Sequence, residues 1–170
     1  MRAFLALLFF AGALAGCGYH TTVKGTALPQ IQTLAVPAFV NQTQTYRVEQ
    51  VLTSAVVREL TTRTHYQVIN NADSDADATL KGTVTSVQIA PITYDASTGR
   101  ASSSLVTVQM KVSVVDRHGK VLFENPSYIY RDEYQISSQL SSFFEEESPT
   151  LDRIARDFSR SVVANILEGY

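Results

Sequence analysis

From Val106 to Val114 the chain alternates without a fault. Val106, Val108, Met110, Val112 and Val114 are apolar, and Thr107, Gln109, Lys111 and Ser113 between them are polar. A period of two sends successive side chains to opposite faces of a strand, so this segment has one buried face and one wet face. Asp116-Arg117-His118-Gly119-Lys120 follows as a hairpin turn, with Gly119 supplying the positive φ. The return strand runs from about Val121 to Ile136, interrupted near Pro126. Before the alternating segment lies a longer strand, about Thr79 to Thr93, with Gly82 as its expected bulge. A loop of small and polar residues, Asp95 to Ser103, joins the two.

A sheet with one apolar face needs a cover, and two segments supply it. Val48, Val51, Leu52, Ala55, Val56 and Leu60 recur at helical spacing, which predicts an amphipathic helix over Tyr46–Arg63 with Thr45 as its N-cap. Leu151, Ile154, Ala155, Phe158, Val162 and Ile166 make the stripe of a final helix, opened by Ser148-Pro149. Ile31 to Phe39 reads as a strand that Pro37 ends or places at an edge, and Tyr66 to Ile69 as a short second one. Strand, helix and strand of these lengths form a crossover, so those two strands are parallel in one sheet. The expected fold class is α+β. Two helices pack on one face of a mixed four- to five-stranded sheet, in the order β-α-β-β-β-β-α, and residues 31–170 form a single domain. The other sheet face, with Thr107, Gln109, Lys111 and Ser113, is left open as a partner-facing surface.

The N-terminus adds a destination. Met1-Arg2 is followed by an apolar run from Ala3 to Leu14, then Ala15-Gly16 and a cysteine, which is the layout of an export signal. The run is too short for a membrane-spanning helix, which needs about 20 residues. Leu14-Ala15-Gly16-Cys17 reads as a bacterial lipobox, with residues 1–16 removed between Gly16 and Cys17 and a lipid attached to the Cys17 sulfur. Cys17 is the single cysteine, so no intrachain disulfide forms, and lipidation disposes of a thiol that an oxidising compartment would attack. Residues 17–30, polar and containing Pro29, read as a tether. Removing 16 of the 170 residues leaves 154, enough for one domain with a real core.

Little in the chain suggests chemistry. His20, His65 and His118 are scattered, with no metal-ligand spacing and no thiol or activated serine beside them. Asp73, Asp75 and Asp77 resemble the start of a calcium loop, but its glycine and glutamate positions hold Ala78 and Val84. Glu145-Glu146-Glu147 is a solvated run ahead of a helix N-terminus. There is no phosphate loop, no acid–base pair, no basic stripe and no RNA-binding aromatic motif. The chain reads as a non-enzyme without a cofactor and without nucleic acid as a partner.

Several ordered pieces carry a resemblance. They are Cys17-Gly18-Tyr19-His20, Leu28-Pro29, Thr33-Leu34-Ala35-Val36-Pro37-Ala38-Phe39 with Asn41 and Thr43, then Glu49, Leu52, Thr53, Ala55, Glu59 and Leu60, then Ala76-Asp77-Ala78, Leu80 and Gly82. Together they resemble LptE, the lipopolysaccharide-assembly lipoprotein family. The resemblance implies a lipoprotein of the outer membrane, on its periplasmic side, that plugs the β-barrel LptD and helps deliver lipopolysaccharide to the outer leaflet. Gly18 fits, because an aspartate after the cysteine marks inner-membrane retention in many Gram-negative bacteria. Lipopolysaccharide phosphates then make Arg100, Arg117 and Lys120, basic residues at strand ends, the candidate ligand contacts. Arg100 lies at the opposite end of the sheet from the other two. CsgG-like and LpoB-like lipoproteins share much of the pattern, and imply instead a secretion pore or an activator of a cell-wall enzyme. A lipid-facing hairpin is disfavoured: Asp132 shares a face with Tyr128, Tyr130 and Tyr134, and Arg131 and Glu133 occupy the other.

Overall fold

The computed structural model describes residue 28 and residues 31–71, 75–136 and 147–168. The expected signal with Gly16 and Cys17, His20, Asp73, Phe143 and Phe144 lie outside the described residues, as does the tether apart from Leu28. Leu28 packs against the core, and its carbonyl accepts the Ile31 N–H at 3.2 Å.

The elements in chain order are β1 (Thr33–Ala35), β2 (Val40–Asn41), α1 (Val48–Arg63), β3 (Gln67–Ile69), β4 (Ala78–Tyr94), β5 (Ala101–Asp116), β6 (Val121–Gln135) and α2 (Glu147–Glu168). They form one mixed sheet of order β3-β1-β4-β5-β6, with β2 also on β4. β1 is parallel to β3 and β4, as the crossover requires, and β4, β5 and β6 form an antiparallel meander. The fold is α+β with both helices on one sheet face. The expected first strand is split in two. Val36 to Phe39, which includes Pro37, leaves the ladder between β1 and β2, giving six strands where four or five were expected.

Three local expectations need correction. The first helix starts at Val48, and Thr45 does not cap it. Arg47 takes the cap position with φ 62° and no side-chain cap bond. Asn41 explains the difference, because its side chain builds the preceding loop. Its Oδ1 accepts the Thr43 N–H and hydroxyl, and its Nδ2 donates to the Thr45 carbonyl and to Glu49 Oε2, each at 2.8–2.9 Å. The last helix includes Glu147, one residue ahead of Ser148-Pro149. Gly82 is not a bulge either. It pairs with Val112, and the register slips instead between Val84 and Ser86. What Gly82 provides is room, since a Cβ there would stand 2.6–2.7 Å from three ring carbons of Phe39.

The alternation in β5 works as its pattern demands. Val106, Val108, Met110, Val112 and Val114 are buried, Thr107, Gln109 and Ser113 are half-buried, and Lys111 is exposed. Phe158 of α2 is fully buried and meets Phe39, Tyr128 and Tyr130 edge-on, with ring centroids 6.2, 5.7 and 5.9 Å away. α2 is pinned to the edge strand β6 by Arg153, whose Nε donates to Asp132 Oδ2 at 2.6 Å and whose Nη2 donates to the Glu133 carbonyl at 3.2 Å. Further along, Asn165 Nδ2 donates to the Tyr128 hydroxyl at 2.9 Å.

Lengths decide what stays uncovered. The 17 residues of β4 extend about 56 Å at 3.3 Å each. The 16 residues of α1 reach only about 24 Å, and the 22 of α2 about 33 Å. The helices therefore run out before the β4–β5 end of the sheet does. No described helix is long and apolar enough to cross a membrane.

Candidate docking surface

The sheet face away from the helices is built in rows by the strand register. Lys81, Ser113 and Glu124 share one row, Ser86, Gln109 and Ile129 another, and Gln88, Thr107 and Arg131 a third. Thr83 pairs with Lys111, and the Thr85 hydroxyl, at the bulge, donates to the Gln109 carbonyl at 3.2 Å. The expected partner-facing set, Thr107, Gln109, Lys111 and Ser113, thus falls on one strand of one face, flanked by further hydroxyl and amide groups. The face offers hydrogen-bond donors and acceptors, with Lys81, Lys111, Glu124 and Arg131 as charges of both signs among them, which suits a wet, polar counterpart.

The three candidate ligand cations are not brought together. Arg100 is exposed at the β4–β5 turn, and Arg117 and Lys120 at the β5–β6 turn. The 16 residues of β5, about 50 Å, separate the two groups. The Arg117 guanidinium donates to Asp77 Oδ1. Arg100 and Lys120 have no ion-pair partner among the described residues. The Lys120 N–H and the His118 N–H both donate to Asp116 Oδ1, at 2.9 and 2.8 Å, so the turn holds its own shape. Hydrogen bonds from the Lys120 backbone first of all lower the Asp116 pKa.

Asp77 has a role that spacing did not reveal. Its Oδ2 accepts the Gln32 and Thr33 N–H groups and the Thr33 hydroxyl, each at 2.9 Å, across 44 or 45 residues of sequence. It ties the start of β1 to the β5–β6 hairpin through Arg117. The Thr33 backbone N–H, then the Gln32 N–H and the Thr33 hydroxyl, hold its carboxyl well below the usual carboxylate range, and Arg117 adds the least. At the other end of the sheet, the Ser97 hydroxyl first, then the Thr98 N–H, bring the Asp95 carboxyl down to about 2. The described residues contain no group of His, Cys, Asp or Glu placed to hold a metal ion.

A groove lies where the helices stop short. Val87, Ile89 and Val106 form its floor, Val51, Ala55, Leu151 and Ala155 its apolar walls, and its volume is about 780 Å³. Tyr46, Arg47, Arg58, Asp152 and Arg156 stand around it. The Arg47 guanidinium sits 5.5 Å from the centre of the Tyr46 ring and donates to Gln50 at 3.2 Å. Sequence reading missed this groove, because its residues come from four separate segments. The one available signal was the mismatch between strand and helix lengths.

Two helices on one face of a mixed sheet whose other face is open define a class shared by several solved bacterial proteins. A candidate lipoprotein from Caulobacter crescentus CB15 matches with TM-score 0.56 at 14% identity, over 78% of this chain and 88% of that one. Lipoprotein B from Nitrosomonas europaea matches with TM-score 0.53 at 12% identity, over 80% and 83%. A minor lipoprotein from Acinetobacter baumannii matches with TM-score 0.50 at 15% identity, over 81% and 92%. At these identities the likeness is one of fold. No curated protein is a significant match in sequence. The family is fixed by sequence instead: the LptE lipopolysaccharide-assembly model matches residues 31–166, and the chain belongs to that family.

Proposed function

We propose that this chain is an outer-membrane lipoprotein, anchored through a lipid on Cys17 and facing the periplasm, that plugs an LptD-type β-barrel and assists lipopolysaccharide delivery through it. Family membership supports the process. The observation that carries the plug is the open sheet face, whose rows of Thr, Ser, Gln, Lys, Glu and Arg lie opposite the face on which both helices pack. The lumen wall of a large barrel is polar and wet, and such a surface meets it without burying unpaired groups. For the ligand, Arg100 and Lys120 are the better phosphate contacts, because Arg117 already serves Asp77.

Photocrosslinking amino acids at Gln109, Ser102 and Phe144 test this reading in cells. Capture of a large barrel from Gln109 and Ser102 is the expected result. Capture of a soluble periplasmic enzyme from Phe144 alone would overturn it in favour of an LpoB-like activator. Self-crosslinked rings would favour a pore.

A further inference from the structure

Among the described residues, half of one β4 edge has no strand beside it. β1 and β2 pair with it from Ala78 to Val84. Beyond that point β4 continues to Tyr94, and among the described residues β5 is its only strand partner. A strand directs its N–H and C=O groups alternately to its two sides, so about half of those on Ser86–Tyr94 face an unfilled side. Pro91 has no N–H, which confines regular pairing to Ser86–Ala90, an ordinary strand length.

Apolar exposure gathers along the same edge. The exposed large hydrophobics are Val40, Tyr46, Ile89, Ile92, Tyr94, Val121 and Ile129. All but the last two lie on β2, on the loop after it, or on the unpaired stretch of β4. Scattered single hydrophobics need no explanation, but a row of them does.

The groove opens beside this edge. Val87 and Ile89 line it, while Gln88, paired with Thr107, lies on the open face. A strand added here would lay alternate side chains into the groove. Arg47, Arg58 and Arg156 stand around it against Asp152 alone, and none of the three arginines is ion-paired among the described residues. Such a rim favours carboxylates. Two copies pairing by this edge would set one arginine rim against the other.

We infer that Ser86–Ala90 is a strand-addition site for an extended segment of the partner barrel, apolar toward the groove and bearing a carboxylate that meets the arginine rim. The inference rests on the plug reading and adds backbone pairing to the side-chain contacts of the open face. Such pairing supplies affinity through main-chain bonds and selectivity through alternate side chains.

Hydrogen–deuterium exchange tests it, on the full-length lipoprotein alone and co-purified with its barrel. Peptides covering 86–90 are expected to exchange at least tenfold more slowly in the complex. In the Arg58→Glu/Arg156→Glu variant that slowing should shrink, with peptides over 106–114 unchanged as the control for folding. A complex in which 86–90 exchanges as fast as in the free chain overturns the strand addition and leaves the plug standing. Failure of any barrel to co-purify overturns both. Slow exchange in the chain alone of those 86–90 amides that do not pair with β5 overturns the inference too, pointing to a second copy if it grows with concentration and to a segment of the same chain if it does not. Slowing produced by phosphatidylglycerol vesicles without the barrel would make the occupant a lipid and overturn it equally.

Discussion

Replacing Gly82 with alanine adds one methyl group where the Phe39 ring lies against the strand. Its Cβ would stand 2.6 Å from two carbons of the Phe39 ring and 2.7 Å from a third. Carbon atoms pack best at about 3.5–4.0 Å, so ring and strand must part by roughly 1 Å. Phe39 has little room to retreat, because its ring meets the fully buried Phe158 edge-on at 6.2 Å. Gly82 itself is held in the β4–β5 ladder opposite Val112. Overpacking of this kind costs about 1–3 kcal/mol, or a fall of about 3–10 °C in Tm for a domain of this size. The cost should disappear when the ring is removed. Phe39→Ala alone should cost about 3–5 kcal/mol through its cavity, and adding Gly82→Ala to that variant should cost nothing further. Urea unfolding of residues 28–170, followed by circular dichroism, measures all four corners of the cycle. An equal penalty for Gly82→Ala in both backgrounds would show that the glycine matters for backbone freedom and not for the ring, and would refute the reasoning.

Other outcomes follow from the same contacts. Asp77 has a folded-state pKa below its unfolded value of about 3.8, so its contribution is present above that value and is lost as pH falls through the folded pKa. Asp77→Asn should therefore lower Tm at pH 7 and flatten its decline below about pH 4; parallel Tm curves for variant and parent would sink this. Val112→Ala and Leu52→Ala should each cost about 1–4 kcal/mol, while Thr107→Ala on the open face should cost little in the isolated domain; equal losses at all three in urea titrations would contradict a one-sided sheet. Cys17→Ser should leave an unprocessed or mislocalised chain on membrane fractionation, and mature-sized protein at parental levels in the outer membrane would count against the anchor.

Legibility followed the range over which each signal acts. The β5 alternation is local, and its five apolar residues are all buried, while of the polar residues between them Lys111 is exposed and Thr107, Gln109 and Ser113 are half-buried. The stripes of α1 and α2 are local too, and Leu52, Val56, Leu60, Ile154, Phe158 and Ile166 are all buried. Boundaries failed where a side chain acted a few residues away. Asn41 organises the turn through Thr43, Thr45 and Glu49, so the helix starts after Arg47 and without a Thr45 cap. Gly82 was misread for a different reason. A glycine inside a strand means either a bulge or a close approach of another group, and only Phe39, folded over it, decides between them. The Asp77 bracket joins residues 40 to 45 positions apart, beyond any pattern in one window.

The two surfaces offered to a partner differ in kind for the same reason. The open face is written in the alternation of β5, and every second residue had to be polar because water, or a wet wall, lies over it. The free edge and the groove are written nowhere locally. They arise because β1 and β2 stop at Val84 and α1 begins at Val48, while β4 and β5 run on for eight more pairs, from Ser86–Gln109 to Tyr94–Ala101 with slips at Ile92 and Ser102. A domain needing only its own stability gains little from that extension, since most of its side chains from Ile89 to Arg100 are exposed. Its length makes sense as a surface completed from outside. On the proposed plug reading the polar face would meet the partner through side chains, and the edge offers backbone groups with which an added strand would pair.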